Sequence, residues 1–398
     1  MYEDIFEGSR IMNHYPYDAI VSADDVNMNA GRLQKVANTF LKQQQSGRFP
    51  GGQLVIRRHG KAVMNLTCGL ARGWQGRGGE PVKVTEKTPF AVYSTGKPMA
   101  AVVIALLESR GIIDVNAPLS QYLPELATLG RENITVLDVL THKSGLMMPD
   151  LINDYKANGD AQVLWQKLIE APPRFPRGTF AYMPIEYGII LDQLAIVLTQ
   201  KCMADLFIDE LATPLGLNNM HYGLADKKID EVAWSYWLGK DKCMVAEMNI
   251  AEKFEVKNND NAVFSAKNSG FGLVSDAANL AAFYEFLVNS GRSPNGEQLI
   301  DSEIIKNYTH KQIFGWNRSV KTFLSYGRGF ILGTMTPSFY GWWGSNGCFG
   351  HPGIFSSVAY GDHKTGISVA IVTNGNKSIG DFFSRFANLS HEIKKACK

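Results

Sequence analysis

The sequence predicts an α+β protein, an antiparallel sheet flanked by helices with a mostly helical domain inserted into it. Three observations predict it. β-type runs occur near both ends of the chain, helical periodicity dominates the middle, and a wholly apolar helix starts near residue 94. The 398 residues are too many for one simple core, so two packed units are expected. Residues 1–90 and 311–398 form the expected sheet domain and 91–310 the helical one, with the site at their interface.

The elements follow in order. The first twenty or so residues have no clear pattern and are expected to wrap the surface. From Gly31 to Gln45, the residues Leu33, Val36, Ala37, Phe40 and Leu41 make one apolar helical face. Two short β-runs, Gln53 to Arg58 and Ala62 to Thr67, read as a hairpin turning at Arg58-His59-Gly60-Lys61. Residues 94–110 form a helix that is apolar on nearly every side, and such a helix is buried. Gly111 stops it, and Pro98 falls early enough to be tolerated. Glu186 to Gln200 and Asp276 to Asn289 read as helices. Phe355 to Tyr360 and Ile367 to Thr373 are β-rich and flank a polar turn. The last segment, from Gly380, carries Phe382, Phe383, Phe386, Leu389 and Ile393 on one helical stripe.

Composition narrows the function. Hydrophobic residues make up 45%, charged residues 20%, and the formal charge is +2 with Lys and Arg scattered. Neither a nucleic-acid nor a membrane partner is expected. The most apolar run, Ala100 to Leu107, is too short to span a bilayer. The start, MYEDIFEGSR, lacks the pattern of a secretory signal, so a cytoplasmic protein is expected. Five cysteines without a CxxC pair fit free thiols better than disulfides or zinc. The eight histidines are dispersed, and neither metal nor cofactor is expected.

The chemistry begins at Ser94-Thr95-Gly96-Lys97. If Ser94 opens the buried helix, Lys97 lies one turn on, on the same face. Backbone N–H groups at a helix start suit an oxyanion. A Lys among apolar neighbours loses solvation, its pKa falls, and it can take a proton from a serine. The bland alternative is a helix cap with a nearby lysine.

The segment Phe90-Ala91-Val92-Tyr93-Ser94-Thr95-Gly96-Lys97 resembles the nucleophile segment of the serine β-lactamase and penicillin-binding superfamily, closest to its class-C-like (family VIII) carboxylesterases. Further ordered matches are Asn116 to Pro124, Ile134 to Leu146, Thr213 to Leu217 and Gly270 to Ser275. The resemblance implies the β-lactamase/transpeptidase-like fold, with Ser94 as nucleophile and Lys97 and Tyr182 as proton-handling partners. A phenol acts as base only if a cation lowers its pKa, a role for Lys97. Pro184 stands where the family carries an Asn, so the usual amide contact to a β-lactam is lost. For the third motif, Lys364-Thr365-Gly366 sits in a polar turn and reads as a decoy. Phe349-Gly350-His351-Pro352-Gly353 resembles the esterase branch instead, which implies His351 and Gly353 at the substrate, with His351 facing the site to help hold the acyl group or the Lys97–Tyr182 network. The oxyanion hole is then expected from the N–H groups of Ser94 and Ile354. The aromatics Phe339, Tyr340, Trp342, Trp343 and Phe349, interleaved with glycines, are expected to line an apolar acyl pocket. Ser275-Asp276 reads as a helix cap and Cys348 as a buried thiol.

The expected activity is hydrolysis of a small-molecule carboxylic ester through a Ser94 acyl-enzyme. A β-lactamase, a D-Ala-D-Ala peptidase and an acyltransferase would use the same residues, and a silent ligand-binding homologue is the non-enzyme alternative. No G-x-S-x-G occurs, so an α/β-hydrolase is disfavoured. The sequence leaves oligomeric state open.

Overall fold

The computed structural model describes residues 15–148, 160–245, 248–354 and 356–397. Phe355 and the first fourteen of the unpatterned N-terminal residues lie outside them. Nine strands form one antiparallel sheet: β1 (Gly51–Arg58), β2 (Lys61–Arg72), β3 (Val82–Lys83), β4 (Ile313–Asn317), β5 (Thr322–Tyr326), β6 (Ile331–Leu332), β7 (Cys348–Gly353), β8 (Ser357–Asp362) and β9 (Ile367–Thr373). Their spatial order is β4-β5-β6-β7-β8-β9-β1-β2-β3, so strands from both chain ends meet at the β9–β1 ladder.

The hairpin β1–β2 turns on His59 and Gly60 alone, both left-handed at φ 51° and 81°. That geometry matches the right-handed twist of the flanking strands. β2 runs five residues beyond the expected Thr67, bonded on to β1 and then β3.

The central strands are buried on both faces. Leu54, Ile56, Val369 and Ile371 pack with helices α1 (Ala30–Gln45) and, at the end of the chain, Ile379–Ala396. Val55, Ala370 and Val372 belong to the other core, with the apolar helix α2 (Lys97–Ser109), α3 (Glu186–Thr199) and α4 (Ala277–Val288). The C-terminal helix is α5. The caps are local and side-chain made: Asn29 Oδ1 accepts from Arg32 N, Asp276 Oδ1 from Asn279 N, and Ser378 Oγ from Asp381 N. Each satisfies a donor that a helix start leaves orphaned.

Helix α2 buries Lys97 to Leu107 without a break. Full burial of each Leu, Ile or Val there stabilises by about 1.5–3 kcal/mol, which anchors the turn before it. Among the described residues no helix is long and apolar enough to cross a membrane.

Candidate active site

Ser94 lies in a 3₁₀ turn, Tyr93–Gly96, and α2 starts only at Lys97 with Pro98 in its first turn. The serine therefore precedes the helix rather than opening it. Tyr93 holds a left-handed φ of 49°, a strained backbone for a bulky residue. Its hydroxyl meets Ser235 Oγ at 3.0 Å, and Tyr222 Oη donates to Gly96 O at 2.5 Å.

Three polar groups converge on this turn. Tyr182 Oη donates to Ser94 Oγ at 2.7 Å. Lys97 Nζ stands 3.4 Å from the same oxygen and donates to Pro184 O at 2.7 Å and Gly270 O at 2.6 Å. Lys97 is fully buried. Burial pushes its ammonium down from 10.5 to about 7, opposed by the charge of Glu186. Once the amine is neutral, the two short bonds to carbonyls use both of its N–H groups, and the longer contact puts its lone pair toward Ser94 Oγ.

Burial pushes the Tyr182 phenol up, although its bond to Ser94 opposes this. Lowering by Lys97, the expectation, is not what burial leaves: desolvation of the phenolate dominates and the Glu186 charge adds to it. In this arrangement the phenol donates to Ser94 Oγ.

The loop bearing Tyr182 is held from the sheet edge. Asn317 Oδ1 accepts from Tyr182 N at 3.1 Å and Ser319 Oγ donates to Tyr182 O at 2.9 Å. Beneath it runs a chain of buried polar groups that sequence reasoning missed. Met183 N–H donates to His142 Nδ1 at 3.2 Å, so His142 Nε2 carries the proton and donates to Tyr326 Oη at 2.9 Å. Tyr326 then donates to His351 Nε2 at 3.2 Å, and His351 Nδ1–H to Pro352 O at 2.7 Å. Each link fixes the tautomer of the next. Burial and the nearby Lys97 keep both imidazoles neutral, His351 down to about 3. Tyr326→Phe strands the donor of one histidine and the acceptor of the other. It is expected to cost about 2 kcal/mol or more in urea unfolding, with a smaller loss of turnover.

Of the two roles expected for His351, the contacts fit support of the Lys97–Tyr182 network better than a hold on the acyl group. The His351 ring is 5.8 Å from that of Tyr182, but both nitrogens are engaged, and it braces the tyrosine loop rather than offering a free group to an acyl chain.

Gly353 brings β7 onto the nucleophile turn. A Cβ there would stand 1.9 Å from Val92 O, 2.6 Å from Ser357 Oγ and 2.9 Å from Thr95 Oγ1. The hydroxyls of Thr95 and Ser357 meet at 2.9 Å, and Ser357 also donates to Val92 O at 3.0 Å, zipping turn to strand. Ile354 follows directly on β7. Gly353→Ala must therefore push β7 away from the nucleophile turn. It is expected to lower kcat/KM by about tenfold or more, with roughly 1–3 kcal/mol of lost stability, read by kinetics and urea unfolding together.

The expected aromatic acyl pocket is corrected as a group. Trp342 Nε1 donates to Asn388 Oδ1 of α5 at 2.7 Å and its ring packs on Phe383. Phe339 packs on Phe382 and Phe383, and Tyr340 on Tyr360. Phe349 is buried against Tyr284, Phe330 and His363. Trp343 is 64% exposed. The glycines between them let the loop fold back onto α5, so its rings serve core and surface. Lys364-Thr365-Gly366 forms the β8–β9 turn, where Thr365 Oγ1 donates to Asp362. Cys348 is buried, and burial pushes its thiol up. Among the described residues no cluster of His, Cys, Asp or Glu is arranged to hold a metal.

Comparison with known proteins agrees with this geometry. The Beta-lactamase family model matches residues 36–391. The chain is 26% identical to the Esterase/beta-lactamase LipL of Mycobacterium tuberculosis over 92% of its length and 87% of the relative's. It is 28% identical to Esterase EstB of Burkholderia gladioli over 50% of this chain and 52% of that protein. A penicillin-binding protein homologue from Caulobacter crescentus superposes with a TM-score of 0.80 at 25% identity, covering 93% of this chain and 98% of the other. A family VIII carboxylesterase shares the fold at a TM-score of 0.75 and 24% identity, over 91% and 98%. The chain is a serine hydrolase belonging to the Beta-lactamase family, with the β-lactamase/transpeptidase-like α+β fold.

Proposed function

We propose that this hydrolase is a carboxylesterase that cleaves small-molecule esters through an acyl-enzyme on Ser94. The observation that carries the reading is the arrangement around Ser94 Oγ. A buried amine with both hydrogens spent lies 3.4 Å away, and a phenol donor lies at 2.7 Å. Lys97 takes the Ser94 proton as the oxygen attacks the ester carbonyl. The oxyanion rests on the N–H groups of Ser94 and Ile354. As the tetrahedral adduct collapses, the C–O bond to the alcohol breaks and Tyr182 protonates the leaving oxygen. The phenolate recovers a proton from the Lys97 ammonium. Water repeats the sequence, giving its proton to Lys97, and Ser94 leaves with the proton of Tyr182. The acid is released and every group returns to its starting state.

The names of LipL and EstB support ester hydrolysis, as does Pro184, whose side chain offers no amide to a β-lactam. The site draws Ser94 and Tyr182 from the segment 91–310 and Gly353 and Ile354 from 311–398, in keeping with a cleft between two domains. The test is p-nitrophenyl butyrate with nitrocefin in parallel, followed by acid quench and peptide mass analysis. Ester turnover with one butyryl group on the Ser94 peptide is the expected result. Nitrocefin cleavage exceeding ester cleavage would replace the esterase by a β-lactamase. Absence of both would favour a silent homologue.

A further inference from the structure

The β4–β5 hairpin is the outer edge of the sheet and its tip clamps Tyr182. Side chains alternate between its two faces. Ile313, Leu324 and Tyr326 turn inward to the core, and Asn317 to Tyr182. The outward face of an antiparallel edge is ordinarily polar. Here it carries Phe314, Trp316 and Phe323, exposed by 59%, 51% and 61%. Trp316 sits opposite Phe323, whose ring stacks on Phe314 at 5.9 Å between centroids and meets Trp316 edge-on at 5.4 Å.

The charge around them is one-sided. From Ile304 to Gly361 the sequence has Lys306, Lys311, Arg318, Lys321 and Arg328 and no Asp or Glu. Lys311, Arg318 and Lys321 are exposed and form no ion pair among the described residues. Lys306 is paired with Glu303 at 3.3 Å and Arg328 with Glu108 at 3.2 Å, which leaves Lys311, Arg318 and Lys321 as the local excess. The whole-chain charge of +2 conceals this local excess.

We propose that this face docks on an anionic lipid surface. The amphipathic ring of Trp316 suits the headgroup level, the apolar rings of Phe314 and Phe323 suit the acyl boundary just beneath it, and flanking cations meet anionic headgroups, each contributing to binding. Charge argues against a second copy: pairing two such faces would oppose like cations. Alternation argues against the acyl chain of a substrate, because the rings lie on the face turned away from Tyr182. Docking would hold the clamp on Tyr182, and with it the Ser94 site, beside a membrane.

The experiment is co-flotation of the full chain with vesicles of equimolar phosphatidylglycerol and phosphatidylcholine, against phosphatidylcholine alone. Two variants accompany the wild type: the triple Phe314→Ser, Trp316→Ser, Phe323→Ser, and the double Arg318→Glu, Lys321→Glu. Thermal melts check their folding, so the outcome is independent of ester turnover. We expect binding only to the anionic vesicles, weakened by salt and reduced about tenfold or more by either variant. Equal binding to neutral vesicles, no binding, or binding untouched by both variants would overturn the proposal. A concentration-dependent dimer that the triple variant dissolves would overturn it in favour of self-association.

Discussion

Ser94→Ala is expected to reduce ester turnover by about 10⁵-fold or more, because nucleophile, base and acid act as one unit and removal of the nucleophile removes the covalent route. The side chain is buried and small, and the turn that carries it is fixed by Tyr93, Thr95 and Gly96 rather than by Ser94. Stability should therefore change by only about 1 kcal/mol, the worth of the acceptor that Tyr182 loses. The readout is kcat/KM on p-nitrophenyl butyrate beside a thermal melt, with intact mass after quench. Turnover within tenfold of wild type would place the nucleophile elsewhere.

Lys97→Met keeps length and flexibility while removing the amine. Loss of general-base assistance is expected to lower kcat by about 10³-fold. The pH dependence identifies the mechanism. With Lys97 at about 7, the base is protonated and idle at lower pH, so kcat/KM of the wild type should rise with pH through about 7 and then level. That limb should vanish in Lys97→Met. In Glu186→Gln it should move to lower pH, since the Glu186 charge is what holds the amine up. The same shift has a stability counterpart. The folded amine titrates at about 7 and the unfolded one at 10.5, so the unfolded chain binds the extra proton between them. Stability attributable to Lys97 falls as pH drops from 10.5 toward 7 and is constant below. A wild-type profile flat from pH 5 to 9 would show that Lys97 is not the base.

What the sequence revealed depended on how local the cause was. The face of α1 and the whole of β9 follow from residues within a few positions, and both lie where periodicity put them. Ser94, Lys97 and Tyr182 converge as the family resemblance implied. The 3₁₀ turn before α2 is not legible, since Ser-Thr-Gly-Lys is equally a helix start, and the contacts that hold the turn come from distant residues: Ser235, Tyr222, Gly353 and Ser357. His142, Tyr326 and His351 are separated by 184 and 25 positions, so no spacing pattern could join them. The aromatic loop misled because ring content reports burial but not which face of the sheet receives it. Trp342 and Phe349 lie in one run and end on different neighbours, α5 and α4 respectively.

The β9–β1 ladder pairs Gly52 with Thr373 and Arg58 with Ile367. Its two partners lie about 300 residues apart in sequence, so the middle of the sheet cannot close until everything between them has been made. Closing so large a loop is entropically costly, and folds dominated by such distant pairings assemble slowly. Until then β1–β2 is a hairpin with one open edge and α1 lacks α5, its partner on the sheet, leaving apolar surface to neighbouring chains. Recombinant yield should therefore respond to chaperones and growth temperature far more than the melting point of the finished protein does. Cutting the chain before β9 should leave an insoluble product even though every catalytic side chain is still present.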